Sequence, residues 1–223
     1  MDKLSINTIK YEHNIKYIYH ISDTHIHLYQ KHTEYKLIFD KLYAKLRTVE
    51  NKNNCCIVIT GDILHSKTEL SPECITVTTN FLNNLADIMT VILIAGNHDA
   101  NLNNKDRLDS LTPLIKKVKT TNNNIHYLKN TGIYKFSNIL FSVTSVFDYE
   151  FIPACSVPDI KGCYKIALFH GRVNGALLYN GIKLEGELNH KIGKTITPST
   201  FKGYDFSLLG DIHKQQFLNK KKT

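Results

Sequence analysis

Five short apolar runs in this sequence stop abruptly at carboxylate, imidazole or amide side chains, and that repetition constrains the fold more than any other feature. The run at 17–21 passes into Ser22-Asp23-Thr24-His25 and the run at 55–60 into Gly61-Asp62. The runs at 91–95, 165–169 and 206–209 pass into Gly96-Asn97-His98-Asp99, His170-Gly171 and Gly210-Asp211-Ile212-His213. One Asp after a strand is a turn former, and one His is an ordinary surface or core residue; five strand ends of the same chemistry are neither. Asp23 and Asp62 are 39 residues apart and Asp62 and Asn97 are 35. Each interval suits one strand–helix crossover, which takes upwards of ~30 residues. Right-handed crossovers bring the first three strand ends to one edge of a sheet, where open α/β folds bind their ligands.

The intervening segments read accordingly. A helix is expected over 34–49, with Ile38, Leu42, Leu46 and Val49 as its apolar stripe. Ser71-Pro72-Glu73 is a helix start, combining a capping hydroxyl, a proline at the first helical position and an acid in the first turn. Cys74, Val77, Phe81, Leu82 and Leu85 then share a face. A short helix at 108–118 and strands at 125–128, 133–136 and 139–146 follow, the last two joined by a tight turn at Ser137-Asn138. Residues 171–200 are Gly- and Asn-rich without a period and read as a long functional loop. With no repeat and no Pro/Ser linker, residues 1–223 are expected to form a single domain, 1–15 being an N-terminal extension and 214–223 a basic tail.

Composition sets the class. The 223 residues are 42% hydrophobic and 22% charged, which excludes a disordered or collagenous chain. No apolar run approaches the roughly 20 residues of a membrane helix, and the polar N-terminus lacks a secretory pattern. Five cysteines without a C-x-x-C pair point to reduced thiols in a cytoplasmic or nuclear compartment rather than to disulfides or a thiolate zinc site. The formal net charge is +8. A basic domain attracts polyanions such as nucleic acid, but a bias toward Lys and Asn codons gives the same sum, so charge alone decides nothing.

Carboxylates, imidazoles and an amide oxygen together suit borderline-to-hard divalent metals such as Mn, Fe or Zn. Neither a nucleophile elbow nor a phosphate-binding Gly-x-x-x-x-Gly-Lys loop is present, which argues against acyl transfer and P-loop chemistry. In order and spacing, Asp23-Thr24-His25, Gly61-Asp62, Gly96-Asn97-His98-Asp99, His170 and Gly210–His213 resemble the calcineurin-like metallophosphoesterases over about residues 17 to 213. Gly61-Asp62-Ile63-Leu64-His65 is similar to the G-D-x-x-H of the SbcD-type double-strand-break repair nucleases.

The resemblance implies an α/β sandwich of two mixed β-sheets flanked by helices, and a centre of two divalent ions. Asp62 would bridge the pair, Asp23, His25 and His213 would complete the first ion, and Asn97, His170 and Asp211 the second. A metal-activated water would attack phosphorus in line. His98 would serve the leaving oxygen, and His65 would help place the scissile phosphate. The family carries His where this chain has Asp211. The added negative charge and harder oxygen favour Mn or Mg over Zn, and the competing reading is that Asp211 merely turns the chain. Arg172, beside His170, is a candidate phosphate contact. His27, His126 and His190 are expected at the surface, and the tyrosines in the core or at the groove rim.

The expected activity is two-metal hydrolysis of DNA phosphodiesters, with Mn the leading cofactor and Fe, Mg or Zn as alternatives. The rivals are a phosphatase of the same superfamily and a degenerate domain that only binds DNA or an ATPase. The resemblance also implies DNA, an SbcC-like coiled-coil ABC-type ATPase and, by analogy, a second copy as partners, with no membrane. Family members continue beyond this point into further strands and a capping domain, so the sequence reads as a truncated form.

Overall fold

A computed structural model describes residues 5–104, 107–118, 125–186 and 193–219. The chain runs β1 (Ile6–Ile9), β2 (Tyr17–Ile21), α1 (His32–Arg47), β3 (Cys55–Thr60), α2 (Pro72–Ile88), β4 (Thr90–Ile94) and α3 (Leu111–Ile115). It continues through β5 (Ile125–Tyr127), β6 (Gly132–Phe136), β7 (Ile139–Thr144), β8 (Tyr164–His170) and β9 (Phe206–Gly210). The four-stranded sheet β2-β3-β4-β5 is parallel throughout. The five-stranded sheet β1-β6-β7-β8-β9 is mixed, its one antiparallel pair being the β6–β7 hairpin. Two sheets are therefore present as expected, although only one of them is mixed.

The layers follow from the two-residue period of a strand. On β3, Cys55, Ile57 and Ile59 face one way and pack with Phe39, Tyr43, Phe81, Leu82 and Leu85 of the two long helices. Cys56 and Val58 face the other way, joining Ile92 and Ile94 of β4 against Phe136, Phe141, Val143, Ile166 and Leu168 of the mixed sheet. The far side of that sheet, with Leu140, Ala167 and Phe169, is closed by Ile152, Val157, Ile196, Phe201 and Tyr204. The α-helices thus flank only the parallel sheet among the described residues. Among the described residues the mixed sheet is covered by irregular chain and two 3-10 turns, Ala154–Ser156 and Pro198–Phe201.

Local expectations fare unevenly. Ser71 caps α2 through a bond from the Cys74 N–H at 3.1 Å, and Pro72 occupies the first turn. On α1 the buried stripe is Phe39, Tyr43 and Leu46, whereas Ile38 is 61% exposed. The aromatic rings bury more area than Ile38 and rotate the helix by one residue to do so. The α3 helix is shorter than the 108–118 expected, for Asp109 bonds the Thr112 N–H and hydroxyl and fixes the start late. Residues 5–15, expected to belong to an N-terminal extension, are part of the fold: Ile6–Ile9 is an edge strand paired with β6, and Ile15 is in the core. His126 is half-buried beside Phe136 at 6.1 Å, with its pKa lowered by burial, rather than solvated. His190 and the end of the basic tail lie outside the described residues. No described helix is long and apolar enough to cross a membrane.

Candidate metal centre

The carboxyl ends of β2, β3 and β4 meet those of β8 and β9, so that residues as far apart in the chain as Asp23 and His213 converge. Three groups of side chains hold ligand atoms within 4.8 Å of one another: Asp23, His25 and His213; Asp23, Asp62 and His170; and His25, His65 and His98. Asp62 is buried at the middle. Its Oδ1 accepts the His98 N–H at 2.7 Å and lies 3.4 Å from His170 Nε2, while Oδ2 lies 3.6 Å from His25 Nε2. Burial pushes its carboxyl up, but His170, the His98 N–H and His25 outweigh that and hold it below the usual range.

The backbone is bent to make this possible. Asp23, His25, Asp62 and Asp211 all have positive φ, at 56°, 44°, 51° and 69°, a region that costs an L-residue roughly 1–2 kcal/mol. Three glycines give the remaining room. A Cβ on Gly61 would sit 2.7 Å from His170 Nδ1, one on Gly96 would overlap Asp62 Oδ1, and one on Gly210 would overlap the Thr60 carbonyl oxygen.

The donor set fits divalent cations. His170 donates Nδ1–H to the Thr60 carbonyl at 2.6 Å, which leaves Nε2 as the ligand atom, 2.9 Å from Asn97 Oδ1. His25 Nε2 and His213 Nε2 face each other at 3.3 Å, the separation of two nitrogens about 2.1 Å from one shared ion at a near-tetrahedral angle. Burial, with help from His98 and His213, lowers His25 to about 4 against the pull of Asp62, so its imidazole is neutral. Asp62 Oδ2 and His25 Nδ1 are buried with no hydrogen-bond partner among the described residues. With His25 Nε2 as the ligand atom, Nδ1 carries the proton, so the unsatisfied lone pairs that a cation would bind are those of Asp62 Oδ2.

Asp211 stands apart. Its carboxylate belongs to none of the three groups, and what it gives the centre is its backbone N–H, which bonds both Asp23 oxygens at 3.0 and 3.2 Å. Burial raises its pKa, with Asp62 and Asp23 adding to the rise and His170 and Arg172 opposing it. Arg172 is exposed, and its charge acts on Asp211.

Two contributors were not singled out from sequence. His27, expected at the surface, is half-buried and stacks on His65 with ring centroids 3.9 Å apart. The His25–His27 spacing was the available signal. Asp99, the last residue of Gly96–Asp99, is fully buried and ties the centre's loops together: Oδ1 accepts the Leu64 N–H at 3.0 Å and Oδ2 the Gly96 N–H at 2.8 Å. Burial, and Asp62 after it, raise its pKa to about 7.

A family model for calcineurin-like phosphoesterases matches residues 16–215, which contain every residue of this centre. The chain belongs to that family. It is a domain of the metal-dependent phosphoesterase kind, and the ligand groups are where its side chains could hold metal. The phosphoesterase chain is also 45% identical over 216 residues to an uncharacterized protein of Acanthamoeba polyphaga mimivirus. That match covers 94% of this chain and 15% of the viral protein, so the chain spans a small part of its relative's length.

Proposed function

We propose that this phosphoesterase hydrolyses phosphodiesters of DNA, with two divalent ions, Mn first among them, held by the residues above. Asp62 would be shared by both ions, Asp23, His25 and His213 would serve one, and Asn97 and His170 the other, with the Asp211 carboxylate completing it at longer reach. When bound, such a pair activates water as nucleophile and neutralises charge on the phosphoryl oxygens.

The observation that carries the diester reading is the pairing of His98 with His65. His98 donates Nδ1–H to the His65 carbonyl oxygen at 2.6 Å, and the two rings lie near parallel with centroids 5.8 Å apart. That bond orients the His98 ring and leaves Nε2 directed away from its anchor. A sugar alkoxide is a poor leaving group that needs a proton, so an oriented imidazole is worth most on a diester of this kind. His65, exposed at the rim, is placed to meet a phosphate oxygen. The charge of +8 supports a polyanionic substrate.

The test uses Mn-loaded protein with p-nitrophenyl phosphate, bis-p-nitrophenyl phosphate and labelled single- and double-stranded DNA. Diester and DNA turnover is expected. Turnover of the monoester with DNA untouched would replace this reading by that of a phosphatase.

A further inference from the structure

Residues 175–184, which leave the centre just after His170, form a hairpin. Its rungs are Gly175 N–H to Leu184 O, Leu184 N–H to Ala176 O and Leu178 N–H to Ile182 O, each 2.8 Å. The reversal at Asn180-Gly181 uses the positive φ of Gly181, 81°, and the Asn180 side chain accepts the Ile182 N–H at 3.1 Å. The hairpin is clamped from the other side of the centre. Gln216, three residues beyond His213, gives and takes an amide bond with the Leu177 backbone, both 2.9 Å. One hairpin is therefore braced by both loops that carry the histidines of the mixed sheet.

What it displays is unusual for a solvent-facing tip. Tyr179 is 80% exposed, Ile182 60% and Phe217, next to the clamp, 68%, with Leu177 and Leu178 also exposed. These are five of the large apolar side chains on the described surface, gathered on two segments tied by Gln216. Exposed apolar side chains gathered in this way mark an interaction site. Lys183, paired with Glu185 at 3.5 Å, lies on the hairpin itself, and Arg172 and Lys214 lie on the segments that lead into it and to the clamp. Aromatic rings among cations beside a phosphodiester centre match unpaired nucleic acid, whose bases stack on rings while its phosphates meet the charges.

We propose that this hairpin, with Phe217, is a stacking platform for unpaired bases of the strand whose phosphate enters the metal centre. The platform rests on the reading of the domain as a DNA phosphodiesterase and adds a preference for single-stranded or frayed substrate. Neither Tyr179 nor Phe217 belongs to the centre, so binding and chemistry separate. The probes are labelled dT15 and a 15-bp duplex, measured by anisotropy in EDTA, with bis-p-nitrophenyl phosphate turnover in Mn as the chemical control. For the Tyr179→Ala/Phe217→Ala protein, the dT15 Kd is expected to rise on the order of tenfold or more. Diester turnover stays at the wild-type level, duplex binding changes less, and Tyr179→Phe binds as wild type does. The salt dependence of the residual binding keeps its slope, since no phosphate contact is removed.

An unchanged dT15 Kd in the double variant overturns the platform while leaving the nuclease reading intact. So does a loss of diester turnover in parallel with binding, or a change of mass in light scattering without a change in Kd, which would make the face an interface between copies. Wild-type protein that turns over the small diester but neither binds nor cuts dT15 overturns both readings together.

Discussion

His170 Nδ1 lies 2.6 Å from the carbonyl oxygen of Thr60, 110 residues earlier in the chain. The bond joins the two sheets at their carboxyl ends and sets the tautomer of a fully buried imidazole, so a structural contact determines which nitrogen faces Asp62 and Asn97. Burial alone would discharge this ring, but Asp62, then Asp23 and Asp211, outweigh it and raise its pKa. A divalent ion held by Nε2 would take the place of that proton in the same field.

Gly96→Ala should remove metal without removing the fold. The new methyl would overlap Asp62 Oδ1 and the Asp62 backbone nitrogen and meet His170 Cε1 at 2.7 Å, so the Asp62 loop must shift. Overpacking of this kind costs about 1–3 kcal/mol, which the core absorbs, while the Asp62 carboxylate is displaced. Metal content of the purified variant, measured beside its circular dichroism, is expected to fall well below wild type with the spectrum retained.

His98→Ala is expected to keep its metal and lose about 10²–10⁴ in DNA cleavage rate, the range for a removed proton donor. The loss should shrink on bis-p-nitrophenyl phosphate, whose leaving group departs without a proton. Equal losses on both substrates would assign His98 to charge stabilisation instead. Asp62→Ala, in contrast, should lose metal and activity together.

His27→Ala should lower DNA turnover several-fold with metal content unchanged, because the His65 ring loses the face it rests on at 3.9 Å. Ring stacking is worth about 0.5–1.5 kcal/mol beyond area. His27→Phe preserves the stack and should restore turnover. Steady-state kinetics of the two variants separate a stacking role from any need for the imidazole nitrogens.

Away from the centre, Asp109 should govern acid stability. Its buried carboxylate receives Lys129 Nζ at 2.7 Å, the Thr112 N–H at 2.7 Å and the Thr112 hydroxyl at 2.6 Å. Burial works to raise its pKa, but these partners hold it below the usual carboxylate value. A depressed folded pKa means the stabilisation is complete above the unfolded value of about 3.9 and is lost as pH falls through the folded one. Asp109→Asn should cost about 2–4 kcal/mol at neutral pH. Melting curves of the two proteins should converge as pH is lowered toward 3.

Strand ends were legible from sequence because period and polarity change together there: the runs before Asp23, Asp62, Asn97, His170 and Asp211 are strands within a residue or two at each end. Helix orientation was less so. Ile38 is as apolar as Phe39, and only the facing helix, with Phe81 4.3 Å from the Phe39 ring centroid, decides between them. Backbone roles were not legible at all. The Asp211 N–H on Asp23 and the Thr60 carbonyl on His170 belong to peptide groups that every residue has, so nothing in the side-chain alphabet marks them. His27 was discounted because alternation along an extended chain leaves its direction open, and the ring that receives it is 38 residues away.

The centre draws its donors from both sheets, and beyond the His170–Thr60 and Asp211–Asp23 bonds what holds the two leaves in register is the buried layer of Val58, Ile92, Phe141 and Leu168 between them. Alignment of the chemistry is therefore a property of a hydrocarbon interior that no substrate touches. A methyl lost at Phe141's neighbours would let one leaf slide against the other and detune the catalyst from a distance, while every residue of the reacting constellation stayed intact.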